Sequence, residues 1–175
     1  MQALNNLKVL DLSRYIAGPN CGMILGDMGA DVIKVESPGR GEETRLLAPK
    51  IGDHGIYTLV YNRNKRAMTL NFRSPEGQAL LRELIREADV VIENFRPGTL
   101  EKMGCDWETI REINERTTLV RISGYGQTGP WSNKPCFDAI AQAGGGLMEL
   151  TGEESGEPLP AGTFIIDYVT SLYAC

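Results

Sequence analysis

Leu7-Lys8-Val9-Leu10-Asp11-Leu12-Ser13 and Asp31-Val32-Ile33-Lys34-Val35-Glu36 decide the fold. Both are short runs rich in Val, Ile and Leu with polar or Gly-containing borders, and both read as strands. Between them Pro19 opens a helical stretch to about Met28 and Gly29 closes it, as these two residues favour helix starts and stops. Strand, helix and strand in that order make a compact β-α-β unit.

The alternation continues outward. Residues 67–72 (AMTLNF) read as a third strand. Ser74-Pro75 then supplies an N-cap followed by Pro at the first helical position. The helix that follows runs to about Ala88, with Ala79, Leu80, Leu84, Ile85 and Ala88 at helical spacing. Residues 89–95 (DVVIENF) are a fourth strand, which Pro97 and Gly98 break. Short helices fit Leu100 to Met103 and Trp107 to Ile113. Residues 118–123 (TLVRIS) are a fifth strand, a Gly/Pro loop follows, and another helix starts near Phe137. The segment from Pro38 to Lys65 reads as long and irregular, and loops of that length tend to be functional. Strands alternating with helices predict an α/β fold: a mostly parallel sheet with flanking helices.

Composition removes several classes. A net charge of −5 argues against a nucleic-acid surface, which needs a basic footprint. No apolar stretch approaches the roughly 20 residues that span a bilayer. MQALNNLKVLDLS lacks the basic head and apolar core of a signal peptide, so cytoplasmic residence is expected. Cys21, Cys105, Cys136 and Cys175 share no metal-type spacing, and the single histidine, His54, lies in a Gly-flanked loop. No metal site and no Ser-His or Cys-His nucleophile system is expected. No redox cofactor is expected either, since neither G-x-G-x-x-G nor a P-loop is present. The sequence ends on Tyr168 to Cys175 without the Gly, Pro or basic last turn that usually announces a helix stop. A longer protein is the expectation.

In open α/β sheets ligands bind outside the carboxyl ends of the strands. Arg14, Arg73 and Arg96 stand at three such ends, with Lys102 close behind, and together they fit a phosphate cradle or a solvated rim. Asp167 is the other residue of note. It interrupts the apolar run Phe164-Ile165-Ile166-Asp167-Tyr168-Val169. It reads either as the N-cap of a helix over 168–175 or as a catalytic carboxylate.

The ordered pieces VLDLSRYIAGP, GADVIKVESPGRGEETR, NKRAMTLNFRSPEG, ADVVIENFRPGTLEKMG, ISGYGQTGP, FDAIAQAGGGLMELTG and GTFIIDY resemble the class III CoA-transferases. That family includes formyl-CoA transferase and carnitine CoA-transferase, and the likeness covers essentially the whole chain. It implies a Rossmann-like domain plus a smaller one, in two chains threaded through each other as an interlocked homodimer. Residues 1–175 would be the N-terminal portion of the large CoA-binding domain, without the later glycine-rich loop that covers the substrate. The resemblance makes Asp167 the nucleophile. It places CoA-binding positions at Arg14 and Ala17, at Leu70, Asn71, Phe72 and Arg73, and at Asn94, Phe95, Arg96 and Lys102. Cys136 and Phe137 complete that set, and Tyr57 matches a substrate-side tyrosine. Ile16 stands where formyl-CoA transferase has a glutamine, and Ser37 where it has an arginine, which points away from a formyl/oxalate pairing.

The resemblance implies transfer of coenzyme A from an acyl-CoA to a small carboxylic acid, through an aspartyl anhydride and an aspartyl-CoA thioester. Such covalent catalysis splits one hard exchange into easier steps. At a helix N-terminus the dipole would hold the aspartate ionised. The related 2-methylacyl-CoA racemases shuttle a proton between a histidine and an aspartate. Their histidine belongs where this chain has Phe137, which cannot titrate. A non-catalytic CoA-binding fragment is the third reading.

Overall fold

The computed structural model describes residues 2–175. The chain opens with β1 (Lys8–Asp11), α1 (Ala17–Asp27) and β2 (Asp31–Glu36). A 3-10 turn at Glu43–Arg45 leads into a small hairpin, β3 (Lys50–Ile51) and β4 (His54–Gly55), and then α2 (Ile56–Tyr61). Next come β5 (Lys65–Thr69), α3 (Pro75–Glu87), β6 (Val90–Glu93), α4 (Thr99–Lys102), α5 (Trp107–Ile113) and β7 (Thr118–Arg121). The chain ends with α6 (Asp138–Gly144), α7 (Leu147–Thr151) and α8 (Ile165–Ala174).

Five strands form one parallel sheet in the order β5-β2-β1-β6-β7. The chain builds outward from β1 on one side, then returns to build on the other. The order therefore reverses between β1 and β6, which opens a crevice at their carboxyl ends. Period-2 alternation sorts the side chains to two faces. Leu10 and Val91 pack with Leu81 and Ile85 of α3 and Ile110 of α5, whereas Val9, Val32 and Ile92 pack with Cys21 and Leu25 of α1. A buried side chain such as Leu81 contributes about 1.5–3 kcal/mol. Apolar residues on both faces explain why these strands read as continuous hydrophobic runs.

The α1 face carries one exception. Asp11 is fully buried there, and its carboxylate takes Lys65 Nζ at 2.7 Å and Lys34 Nζ at 3.3 Å. Ser13 bonds the same group through its N–H at 2.9 Å and through its hydroxyl. Lys34 also donates to the Ser13 carbonyl, and Lys65 to that of Pro19 at 2.7 Å. Burial alone would raise the Asp11 pKa, but the two ammonium groups hold it well below the ordinary carboxylate range. Two glycines make room for this knot. A Cβ at Gly22 would lie 2.9 Å from Asp11 Oδ2, and one at Gly18 only 2.2 Å from Ser13 Cβ.

The structure departs from the sequence reading in two places. The third strand lies two residues early, at Lys65–Thr69, because Leu70 N–H still bonds Glu36 O while Asn71 already turns to meet Ser74 N–H. The segment 38–65 is not irregular throughout, since it contains the 3-10 turn, the hairpin and α2. The Gly144-Gly145-Gly146 run is a helix junction: Gly146, at φ 80°, is the N-cap of α7, and a Cβ at Gly145 would lie 3.0 Å from Ala141 O. Ser74 caps α3 as expected, accepting from Gly77 N–H at 3.1 Å.

Candidate active site

A cleft of about 1390 Å³ lies across the carboxyl ends of the strands. The loops after all five strands of the sheet line it, closed on one side by the start of α6 and the first turn of α8. Its floor is the switch point itself. Arg14 N–H donates to Asn94 Oδ1 at 2.7 Å, and Asn94 Nδ2 donates back to Arg14 O at 2.7 Å. This reciprocal pair fastens the β1 loop to the β6 loop.

The cleft brings together nearly all of the residues singled out in the sequence. Arg14, Ala17, Leu70, Asn71, Phe72 and Arg73 border it, as do Asn94, Phe95, Arg96 and Lys102. So do Cys136, Phe137 and Asp167. Tyr57 does not. Its ring stacks on Tyr61 at 6.1 Å and meets Phe164 edge-on at 6.1 Å, in an aromatic cluster behind the first turn of α8. Tyr61 and Tyr168 join that cluster through their hydroxyls, 2.6 Å apart. His54 is exposed in the hairpin and is not part of the cleft lining.

Basic side chains (Arg14, Arg40, Arg73, Arg96, Lys102 and Lys134) outnumber the acidic ones (Glu43, Asp138 and Asp167) along the cleft. Arg14 pairs with Glu43 at 2.9 Å and lies 5.3 Å from the centroid of the Phe95 ring. Arg73, Arg96 and Lys102 form no ion pair among the described residues. Free cations around a polar and apolar crevice suit a ligand that carries both phosphates and an organic body. Among the described residues no cluster of three or more His, Cys, Asp or Glu side chains is placed to hold a metal ion.

Asp167 is not the cap of its helix. Phe164 occupies the N-cap without a side-chain hydrogen bond, and Asp167 lies within the first turn of α8. A different carboxylate does the capping. Asp138, at the start of α6, accepts from Ile166 N–H at 2.8 Å and from Asp167 N–H at 3.1 Å through one oxygen. Its other oxygen accepts from Gln142, whose own Oε1 takes Ala161 N–H at 2.8 Å. In the sequence nothing marks Asp138 for this role. An Asp in the first turn of one helix signals that helix, and its service to α8 exists only once the two pack.

The second correction is electrostatic. The helix dipole does not hold Asp167 fully ionised. Burial, with Asp138 nearby as a like charge, pushes its pKa up to about 6. No protein hydrogen bond is among the causes that act on this carboxylate. It lines the cleft half-buried and mostly ionised at neutral pH, with no protein donor among the described residues, the condition of a group available to react. The Cys136 thiol, in the same wall, is pushed up by burial and stays protonated.

The chain belongs to CoA-transferase family III, whose family model matches residues 4–175. It is 45% identical over 175 residues to human succinyl-CoA:glutarate CoA-transferase, covering 99% of this chain and 40% of that protein. It is 45% identical over 174 residues to the succinyl-CoA–L-malate CoA-transferase beta subunit of Chloroflexus aurantiacus, covering 98% of this chain and 43% of that one. The crystal structure of a CAIB/BAIF family protein from Brucella suis superposes with a TM-score of 0.93 at 44% identity, over 99% of this chain and 47% of that chain. The chain thus spans less than half the length of these relatives.

Proposed function

We propose that residues 1–175 are the N-terminal portion of the large Rossmann-like domain of a class III CoA-transferase, carrying its CoA-binding cleft and its nucleophile. The carrying observation is Asp167: a carboxylate without protein donors, in the wall of a cleft rimmed by unpaired cations. Arg73, Arg96 and Lys102 bind the phosphates, and the Arg14–Asn94 bridge fixes the floor beneath the thioester.

Asp167 attacks the donor thioester carbonyl. The C–S bond breaks, CoA leaves as thiolate, and a mixed anhydride forms. The thiolate then attacks the aspartyl carbonyl, giving an aspartyl-CoA thioester and releasing the donor acid. The acceptor carboxylate attacks that thioester, and the freed thiolate takes the new acyl group, which regenerates Asp167. The energy of the thioester is conserved at each step. Because the similar human and Chloroflexus proteins are named for succinyl-CoA, we infer a short dicarboxylyl-CoA donor and a small carboxylic acid acceptor. A two-base racemase is disfavoured by Phe137 at the cleft wall, where no proton can be held.

The working form is a homodimer in the cytoplasm. Support for a partner surface comes from α6 to α8, where Ile140, Leu150, Leu172 and Tyr173 are exposed. Among the described residues no helix is long and apolar enough to cross a membrane.

The test is to incubate the full-length protein with succinyl-CoA, trap with hydroxylamine and map the adduct by peptide mass. The adduct is expected on Asp167, and Asp167→Ala should abolish transfer. Adduct on any other residue, or undiminished transfer by Asp167→Ala, would sink the assignment.

A further inference from the structure

Tyr15 has a backbone φ of 62°, in the left-handed region that side chains other than Gly, Asn and Asp rarely adopt. Such strain persists only where the surroundings over-determine it. Here they do. Tyr15 N–H donates to Glu42 Oε1 at 2.8 Å, and Glu42 is itself buried. Glu42 is held in turn by Thr44, through its N–H at 3.2 Å and its hydroxyl. The residues before Tyr15 are tied as firmly, Ser13 to Asp11 and Arg14 to Asn94. Three successive backbone N–H groups thus end on side chains from three different parts of the chain.

What this pinning achieves is a direction for one ring. Tyr15 meets Phe137 edge to face, with centroids 5.5 Å apart and planes at 80°. Phe137 precedes Asp138, the residue that caps the helix of Asp167. Tyr15, Phe137 and Asp167 line the same cleft. The pair is not core filling, since Phe137 is 64% exposed. Two aromatic rings therefore span from the β1 loop to the start of α6, in the cleft that Asp167 also lines.

We propose that Tyr15 and Phe137 form a wall that keeps water from the Asp167 carbonyl while it carries the anhydride or the thioester, so that the strained Tyr15 sets the partition between transfer and hydrolysis. The inference rests on Asp167 being the acyl carrier. In the wasteful reaction, water oxygen adds to the aspartyl carbonyl of the thioester and the C–S bond breaks. Asp167 carboxylate, CoA thiol and a proton result. An apolar wall excludes the attacking water, so that the bound CoA thiolate is the nucleophile that meets the anhydride and the acceptor carboxylate the one that meets the thioester.

The experiment compares wild type, Tyr15→Phe, Tyr15→Ala and Tyr15→Gly in the full-length protein. Transfer is read as new acyl-CoA with acceptor present. Hydrolysis is read as free thiol released from succinyl-CoA with no acceptor. Tyr15→Phe keeps the ring and should keep the wild-type ratio. Tyr15→Ala and Tyr15→Gly should raise hydrolysis relative to transfer several-fold. Glycine adopts this φ without strain, so Tyr15→Gly folds even if Tyr15→Ala does not. An unchanged ratio in Tyr15→Gly overturns the proposal. So does loss of transfer without added hydrolysis, which would make Tyr15 a substrate contact, or a raised ratio in Tyr15→Phe. Failure of the parent reading is separate: wild type would then show no adduct on Asp167, whatever the Tyr15 variants do.

Discussion

Asp11 and Asp167 are both shielded carboxylates near the cleft, and their surroundings drive them in opposite directions. Asp11 is wrapped by two ammonium groups, an N–H and a hydroxyl, and is held far below the usual carboxylate range. Asp167 has no such donors and a second carboxylate beside it, and its pKa rises to about 6. The contrast separates scaffold from chemistry. A carboxylate whose lone pairs are all engaged fixes the loop around it, and one left unsatisfied keeps lone pairs with which to attack a carbonyl. The cations divide in the same way: Lys34 and Lys65 serve Asp11, while Arg96 and Lys102 stay free for a polyanion.

The most direct way to break this comparison is to remove the Asp11 charge. Asp11→Asn leaves two buried ammonium groups uncompensated and should cost about 3–5 kcal/mol, read from urea unfolding of the full-length protein. Adding Lys65→Met should recover part of the loss. In wild type the Asp11 contribution is complete above its unfolded pKa and is lost only as pH falls through its lowered folded value. Removing a free cation tests the other half of the contrast. Arg96→Ala or Lys102→Ala should raise KM for the CoA ester by roughly tenfold with kcat unchanged, as loss of uniform binding does. A fall in kcat alone would show that these cations act on the reacting centre. A subtler change is Asp138→Asn, which keeps the oxygen that caps α8 but removes the like charge, at the expense of the Gln142 hydrogen bond. The acid limb of the kcat/KM–pH profile should then move to lower pH. No movement would leave burial as the whole cause of the raised value.

How much of this was written in the sequence differs between the two aspartates. The strands that carry Val9, Val32 and Val91 were legible because parallel strands buried on two faces are continuous apolar runs. The α3 start at Ser74-Pro75 was legible because capping is local. Asp11 sits inside such a run, and nothing in the sequence says that Lys34 and Lys65, on two other strands, will converge on it. Asp167 stood out for the opposite reason, as a charge in an apolar run, but its capping partner lies on another helix. Local periodicity records which way a residue faces. It does not record which charge will face it, and the pKa of both aspartates depends on that. Tyr15 was hidden for a related reason, since its left-handed backbone is imposed by Glu42 from a distant turn.

The smallest expected effect sharpens the comparison most. Folding raises the Asp167 pKa above its unfolded value near 4, so the folded state holds the proton more tightly than the unfolded one. The stability this gives is fully present below about pH 4 and is lost as pH rises through about 6. Above that, an ionised Asp167 weakens the fold that carries it. Asp167→Asn removes the charge without changing shape. It should abolish transfer yet raise stability at pH 7.5 by on the order of 1 kcal/mol, after allowing for the solvent that reaches this group. The gain should shrink toward zero when the melts are repeated near pH 4, where wild type is itself neutral at this position. The same substitution at Asp11 destabilises at both pH values. A variant pair that gained and lost stability together would place the two carboxylates in one class, and the assignment of one to the scaffold and the other to the reaction would fail.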